Sequence, residues 1–266
     1  MSRQDRAGIA ARAARLLDEH RARQPFAPFR DDAALRDLEQ AYAVQDAFIA
    51  RLAASRGTSS AGYKIGLTSA RMQAMCGIAS PIAGVVLADG LAASGTTLSR
   101  GGYGRLGIEF EIGVRLGADL PVAGAPYSAA QVAAAVVAVC PAIEVVDDRG
   151  ADYRGLDMLS LVADNSWNAG LVLGPWRATW PDLDAVAGQA QCDGVALDRG
   201  LGADVLGHPF NALTWLANHL AAHGQMLRAG QVVATGSLIT TRFPERPAVY
   251  RFTLDGLGEV AVEVVD

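Results

Sequence analysis

Cysteine is scarce in this chain. Cys76, Cys140 and Cys192 are widely spaced among apolar or small residues, so no disulfide framework is readable and reduced thiols are expected. Long apolar runs are missing too. No uncharged, continuously apolar run of 18 residues occurs, and the opening "MSRQDRAGIAARAARLLDEH" has no apolar core ahead of a small-residue cleavage site. Although that opening is rich in arginine, Asp5, Asp18 and Glu19 suit an ordinary amphipathic helix better than a transit peptide. A soluble, cytoplasmic protein without a membrane partner is the expectation. Basic residues do not dominate: 23 stand against 28 acidic ones, for a net charge of -5, and no basic stretch is interleaved with aromatics. A nucleic-acid partner therefore lacks electrostatic support. No G-x-G-x-x-G opens a helix and no G-x-x-x-x-G-K-[ST] occurs, which excludes a phosphate cradle of either kind. The absence of G-x-S-x-G argues against serine catalysis.

What is present is a chain of 266 residues, 51% hydrophobic, enough for a sizeable core. Residues 3 to 22 and 35 to 55 read as helices. Ser2 with Asp5 resembles a capping box, and Leu38, Ala41, Tyr42, Phe48, Ile49 and Leu52 form a stripe ending near Gly57. Between them "RQPFAPFR" is a proline-marked loop. From Gly62 onward short apolar runs broken by glycine predict strands, interrupted by helices over 128 to 139 and around "HPFNALTWLANHLAAHG". In the second of these Pro209 fits the first turn and Gly224 the stop. The expected fold is α+β: a helical N-terminal segment over residues 1–60 and a folded-over, largely antiparallel sheet body over 61–266.

Within the body, "GIEFEIGVRL" (107 to 116) alternates Ile108, Phe110, Ile112, Val114 and Leu116 with Glu109, Glu111, Gly113 and Arg115. That is a strand with one apolar face, and Glu109 and Glu111 share the other, their roots roughly 7 Å apart. Some thirty residues on, "CPAIEVVDDR" predicts another strand, carrying Glu144 where an apolar residue is expected. Either these carboxylates are wetted surface, or they converge. Three glutamates facing one cavity would raise one another's pKa unless a cation sat among them, and oxygen donors suit a hard divalent ion with positions left for a chelating substrate.

The ordered set "GYKIGLTSARMQAMCGIASPIAGVVL", "IEFEIGVRLG", "AIEVVDDR", "ADNSWNAGLVLG", "GHPFNALTWLANHL" and "ATGSL" resembles the 2-keto-4-pentenoate hydratase and 4-oxalocrotonate decarboxylase family of the fumarylacetoacetate hydrolase superfamily. The likeness runs from about Gly62 to the C-terminus and more loosely through the N-terminal helices. It implies a mixed β-roll, and a Mg²⁺ or Mn²⁺ ion held by Glu109, Glu111 and Glu144. It also implies a pocket lysine, Lys64, as anion clamp or proton carrier, and a loop near the substrate that carries Asp164, Asn165 and Ser166. Asp164 and Ser166 are candidates for catalysis, and Asn165, Thr235 and Gly236 for substrate binding, the last two on a glycine turn at the substrate carboxylate. The implied activity is metal-dependent hydration of a 2-hydroxy-2,4-dienoate to a 4-hydroxy-2-oxo acid in aromatic catabolism. A 4-oxalocrotonate-type decarboxylase, an acylpyruvate-type C–C hydrolase and a non-catalytic metal-binding partner subunit are the alternatives. A homo-oligomer, or a complex with a related decarboxylase or hydratase, is implied as well.

Some residues depart from that pattern. Ile82 and Ala83 stand where much of the family has an acidic and then an aromatic residue, and Trp167 and Asn168 replace small residues after Ser166. Of the four histidines, His20, His208, His219 and His223, none lies between residues 21 and 207, so the His–Glu pair of the superfamily's C–C hydrolases has no evident source. His219 and His223 are spaced i and i+4 on a helix but lack the H-E-x-x-H glutamate of a zinc site. Arg105, Arg149 and Arg154 are each able to meet a distal substrate carboxylate.

Overall fold

The two N-terminal helices form where the periodicity puts them. In the computed structural model, which describes residues 3–30, 35–69, 72–73 and 77–266, α1 is Arg3–Arg21 and α2 is Leu38–Arg56. The Ser2 cap and Cys76 lie outside the described residues. α2 starts at Leu38 rather than near residue 35 because Asp37 caps it, accepting a hydrogen bond from the Gln40 N–H at 2.9 Å. Gly57 ends it with φ 64, the left-handed geometry that glycine adopts without a Cβ clash. Its stripe of Ala41, Val44, Phe48, Ile49 and Leu52 is buried, with one polar member, Gln45.

Among the described residues the strands are β1 (Ser60–Gly66), β2 (Ile82–Leu87), β3 (Leu91–Ala93), β4 (Thr96–Ser99), β5 (Leu106–Leu116), β6 (Val136–Asp147), β7 (Asn168–Leu173), β8 (Ala187–Cys192), β9 (Val195–Leu201), β10 (Val232–Arg242), β11 (Ala248–Leu254) and β12 (Gly258–Val265). They form a seven-stranded sheet, order β2-β1-β10-β5-β6-β7-β3, and a five-stranded sheet, order β4-β12-β11-β8-β9. Most pairings are antiparallel. The pairs β1/β10, β3/β7 and β4/β12 are parallel, so both sheets are mixed, as the α+β β-roll expectation requires.

The apolar face of β5 packs toward the second sheet, where the rings of Phe110 and Phe252 are 5.4 Å apart between centroids and both are fully buried. Burial is worth roughly 1.5–3 kcal/mol for each ring. β6 is buried on both faces because it is covered from both sides, Val139, Ile143 and Val145 lying in one core cluster and Val146 in another. Pro141 is tolerated there because the register with β7 begins only at Ala142.

The helix expected over 128 to 139 is cut short. α3 is Ala129–Ala135, opened by a Ser128–Gln131 capping box, and the chain becomes β6 at Val136. Val136 and Val139 of this β-branched run pair with β5, Val137 being the extra residue at a register shift, and that pairing overrides the helical preference of the alanines. Two further helices are α4 (Met158–Ala163) and α5 (Pro209–Ala222), the latter with Pro209 in its first turn and Gly224 at φ 71 just beyond it. α4 joins α1 and α2 in a second core cluster that also takes in Ile82, Val146 and Trp167. No described helix is long and apolar enough to cross a membrane.

Candidate active site

Register brings the glutamates together. Glu109 and Glu111 lie two residues apart on β5, and Glu144 is the direct partner of Glu109 across the antiparallel β5/β6 ladder. One carboxylate oxygen from each lies within 4.8 Å of the others. Glu111 and Glu144 are fully buried and Glu109 is half-buried, so this is not a wetted face. Like charges directly opposite in a sheet are destabilising, and burial compounds the cost.

Lys64, on β1, stands beside them at 5% exposure, its Nζ 3.2 Å from Glu144 Oε1. Its stem runs past Gly84 of β2, where a Cβ would come within 3.2 Å of Lys64 Cγ and 2.6 Å of the Asn165 carbonyl oxygen. Only glycine lets the strand, the lysine and the following loop approach so closely. Burial opposes the Lys64 charge, yet Glu144, Glu109 and Glu111 together hold its pKa above the ordinary lysine value. Burial drives the Glu111 carboxyl well above the usual range, aided by Glu144 and Glu109. Burial also lifts Glu144 to about 7, opposed by Lys64.

The remaining donors around the carboxylates are fixed. Glu111 Oε2 accepts from the Gly236 N–H at 2.7 Å, Glu144 Oε1 from Asn168 Nδ2 at 3.0 Å, and Glu109 Oε1 from the Thr241 hydroxyl at 2.5 Å. Glu111 Oε1 and Glu144 Oε2 are buried with no hydrogen-bond partner. A buried carboxylate oxygen left without a donor is costly, and an all-oxygen set of three acids fits a hard divalent cation.

The loop after α4 is held from several sides. Asn165, Ser166 and Trp167 have φ of 55, 50 and 59, a left-handed run costing on the order of 1 kcal/mol per residue. Asp164, fully buried, has Oδ1 2.6 Å from His20 Nε2 of α1 and Oδ2 2.6 Å from Arg149 Nη2. The Asn165 amide pairs with both backbone groups of Val85, at 2.7 and 2.9 Å. Ser166 Oγ donates to the Ala83 carbonyl, which also accepts from Gln45 of α2. The loop thereby delivers Asn168 to Glu144.

The structure thus brings Lys64, Glu109, Glu111 and Glu144 together. The other sequence candidates have different partners from those expected. Both Asp164 oxygens are taken by His20 and Arg149, and the Asn165 amide by β2. The Thr235 hydroxyl donates to the Ile112 carbonyl at 2.9 Å, and the Gly236 amide donates to Glu111 rather than standing free for a substrate carboxylate. Four of the side chains that build the site escaped the sequence pattern: His20, Gln45, Asn168 as a carboxylate donor, and Thr241. Only Thr241 left a local trace, a polar residue within an otherwise strand-like run. Ile82 and Ala83 are 2% and 3% exposed, so both are taken up in apolar packing. His219 and His223 are adjacent, 4.5 Å between ring centroids, but the glutamate trio is the one group of three metal-type donors among the described residues.

The family model for the fumarylacetoacetate (FAA) hydrolase C-terminal region matches residues 68–265. The chain belongs to the fumarylacetoacetate hydrolase family. Within it, the chain is 35% identical over 254 residues to a 2-keto-4-pentenoate hydratase of Burkholderia vietnamiensis, covering 95% of each chain. It is 33% identical over 236 residues to a 2-oxo-hept-4-ene-1,7-dioate hydratase of Escherichia coli, covering 86% of this chain and 87% of that one. Among solved family structures, 4-oxalocrotonate decarboxylase from Pseudomonas putida G7, complexed with magnesium and adipate, superposes with a TM-score of 0.90 at 28% identity, covering 98% of both chains.

Proposed function

We propose that this protein is a divalent-metal-dependent hydratase of a 2-hydroxy-2,4-dienoate, producing a 4-hydroxy-2-oxo acid in the breakdown of aromatic compounds. The observation that carries this reading is the convergence of Glu109, Glu111 and Glu144 with two unpartnered oxygens beside a buried lysine. The hydratase relatives, matched over most of their length, supply the reaction class. Glu109, Glu111 and Glu144 would hold Mg²⁺ or Mn²⁺. When bound, the ion supplies Lewis acidity to the carboxylate and C2 oxygen of a 2-oxo acid headgroup.

The chain's own residues do the rest. Lys64, kept protonated by its acidic neighbours, orients the substrate carboxylate and carries a proton at Nζ. Gly236, Asn168 and Thr241 fix the three carboxylates, and Asp164, Asn165 and Ser166 hold the loop that delivers Asn168. Deep burial of Lys64, Glu111 and Glu144 excludes bulk water from the headgroup end. In the overall reaction the dienol becomes a ketone and one water adds across the chain, its oxygen at C4. A cytoplasmic homo-oligomer is the form proposed, with exposed Val195, Leu197 and Leu201 on edge strand β9 as apolar surface available to an assembly.

Decarboxylation is the second reading, favoured by the close superposition on 4-oxalocrotonate decarboxylase. Both are tested with metal-stripped protein supplied with Mg²⁺ or Mn²⁺. Metal-dependent loss of the 2-hydroxypenta-2,4-dienoate absorbance is the expected result. Failure on that substrate together with CO₂ release from 4-oxalocrotonate would replace hydration by decarboxylation, and silence on both, in protein that binds Mn²⁺, would favour a partner subunit.

A further inference from the structure

Of the four groups at the headgroup end, only Glu109 reaches solvent; Glu111 and Glu144 are fully buried and Lys64 is 5% exposed. A ligand seated at the carboxylates must therefore extend outward past Glu109. One strand step beyond Glu109, on the same face of β5, is Gly107. Phe243 covers that glycine, for a Cβ there would lie 3.1 Å from Phe243 Cε1. The Tyr153 ring is 6.3 Å from Phe243 and 5.6 Å from Trp167, centroid to centroid. Phe26 backs Trp167 edge-on at 5.2 Å. The exit from the carboxylates is an aromatic wall.

No free cation stands at that wall among Arg105, Arg149 and Arg154. Arg105 lies over the Phe243 ring at 4.6 Å, but its Nε and Nη2 both bind the Asp148 carboxylate, and Nη2 also donates to the Ala151 carbonyl. Asp147 accepts from the Arg105 backbone N–H beside it. Arg149 is 2% exposed and held by Asp164, and the side chain of Arg154 is 94% exposed, near Asp152. The Tyr153 hydroxyl donates to Asp148, so its ring is left to contact a ligand. A second carboxylate on the substrate would meet Glu109 and Asp148 with only Arg105 in opposition, and Arg105 is already committed to Asp148, an unfavourable balance.

We propose that Tyr153, Trp167 and Phe243 bind the substrate tail, and that this protein selects 2-hydroxy-2,4-dienoates with an alkyl tail over those ending in a second carboxylate. This rests on the reading of the headgroup site given above. Among the hydratase relatives one is named for a diacid and another for a monoacid, so the family name alone does not supply the choice.

The test compares 2-hydroxyhepta-2,4-dienoate with 2-hydroxyhepta-2,4-diene-1,7-dioate on the Mg²⁺-loaded protein, and repeats the comparison in Phe243→Lys. The monoacid should show a kcat/KM about tenfold or more above the diacid, and the lysine variant should move that ratio toward the diacid by about tenfold. Using the ratio within each protein cancels any partial loss of fold. A diacid used equally well or better, or a ratio unmoved in Phe243→Lys, would overturn the proposal. Should neither dienoate be turned over, the hydratase reading fails, and calorimetric binding of unreactive 2-oxohexanoate against 2-oxohexanedioate decides the tail separately. Tighter 2-oxohexanoate upholds it; equal or tighter 2-oxohexanedioate, or no binding of either, overturns it.

Discussion

Glu109 and Glu144 face each other across the β5/β6 ladder as direct register partners, two carboxylates of the same sign at the centre of a seven-stranded sheet. Such a pair weakens the sheet that contains it, and Glu111 beside it adds a third carboxylate, fully buried. The sheet tolerates the cost because the same three groups form the binding site.

Replacing Glu111 by glutamine should therefore separate stability from function. The amide oxygen retains the Gly236 hydrogen bond while the buried charge is removed. In chelator-treated protein the melting temperature should rise by about 2–6 °C, corresponding to 1–2 kcal/mol. Mn²⁺ affinity, followed by electron paramagnetic resonance, should fall by more than about 100-fold. A variant melting lower than the parent in chelator would show that the carboxylate contributes stability rather than strain.

The metal-free site should behave as a proton trap. Glu111 and Glu144 have raised pKa values, so the folded protein binds protons that the unfolded chain has released. Their contribution to stability is complete below about 4.5, the unfolded value, and is lost as pH rises through the folded values, about 7 for Glu144. Divalent ion and proton compete for the same oxygens, so Mg²⁺ binding should release protons and weaken as pH falls below 7. Titration calorimetry in buffers of different ionisation enthalpy reads the proton count directly, and a count of zero at pH 6.5 would refute the competition.

Asp164 and Arg149 test the loop. Asp164→Asn leaves the buried Arg149 guanidinium with only Glu19, 3.7 Å from Nη1. Breaking a buried pair of this kind costs about 3 kcal/mol, a fall in melting temperature of about 6–12 °C. Because the loop carries Asn168 to Glu144, turnover at a temperature where the variant remains folded should also drop, with His20→Gln showing the same effect more weakly. Unchanged turnover in folded Asp164→Asn would mean that the left-handed run keeps its shape without this anchor.

His219 supplies an independent acid-sensitive group. It is wedged against Trp215 on α5, His223 just beyond the end of α5 and Tyr42 on α2, with Asp46 of α2 close to His223. Burial, then the His223 charge, lowers its pKa from 6.5 to about 4. The unfolded chain takes up the proton first, so this residue costs stability as pH falls from 6.5 toward 4. With partial solvent screening the loss is on the order of 1–2 kcal/mol. His219→Gln should flatten that part of the urea-denaturation profile relative to the parent, and parallel profiles would sink the assignment.

Local pattern carried a good part of this protein. Period-two alternation located β5 and put Glu109 and Glu111 on one face, a glutamate in an apolar strand marked Glu144, and Pro209, Gly57 and Gly224 bound the helices through backbone chemistry that acts within a few residues. The α+β class and the family resemblance rested on such short-range signals in order. Tertiary structure decided what range alone forbids. Whether 128–139 stays helical depended on β5 being available to pair with Val136 and Val139. Whether the glutamates meet depended on the β5/β6 register, since a one-residue slip would send Glu144 to the opposite face. The partners of Asp164, 144 residues upstream at His20 and 15 at Arg149, and of Glu109, 132 downstream at Thr241, have no sequence periodicity to announce them. Strand patterns specify which face a side chain occupies, but the neighbour it meets there is fixed only when the sheets close and their packing selects one register.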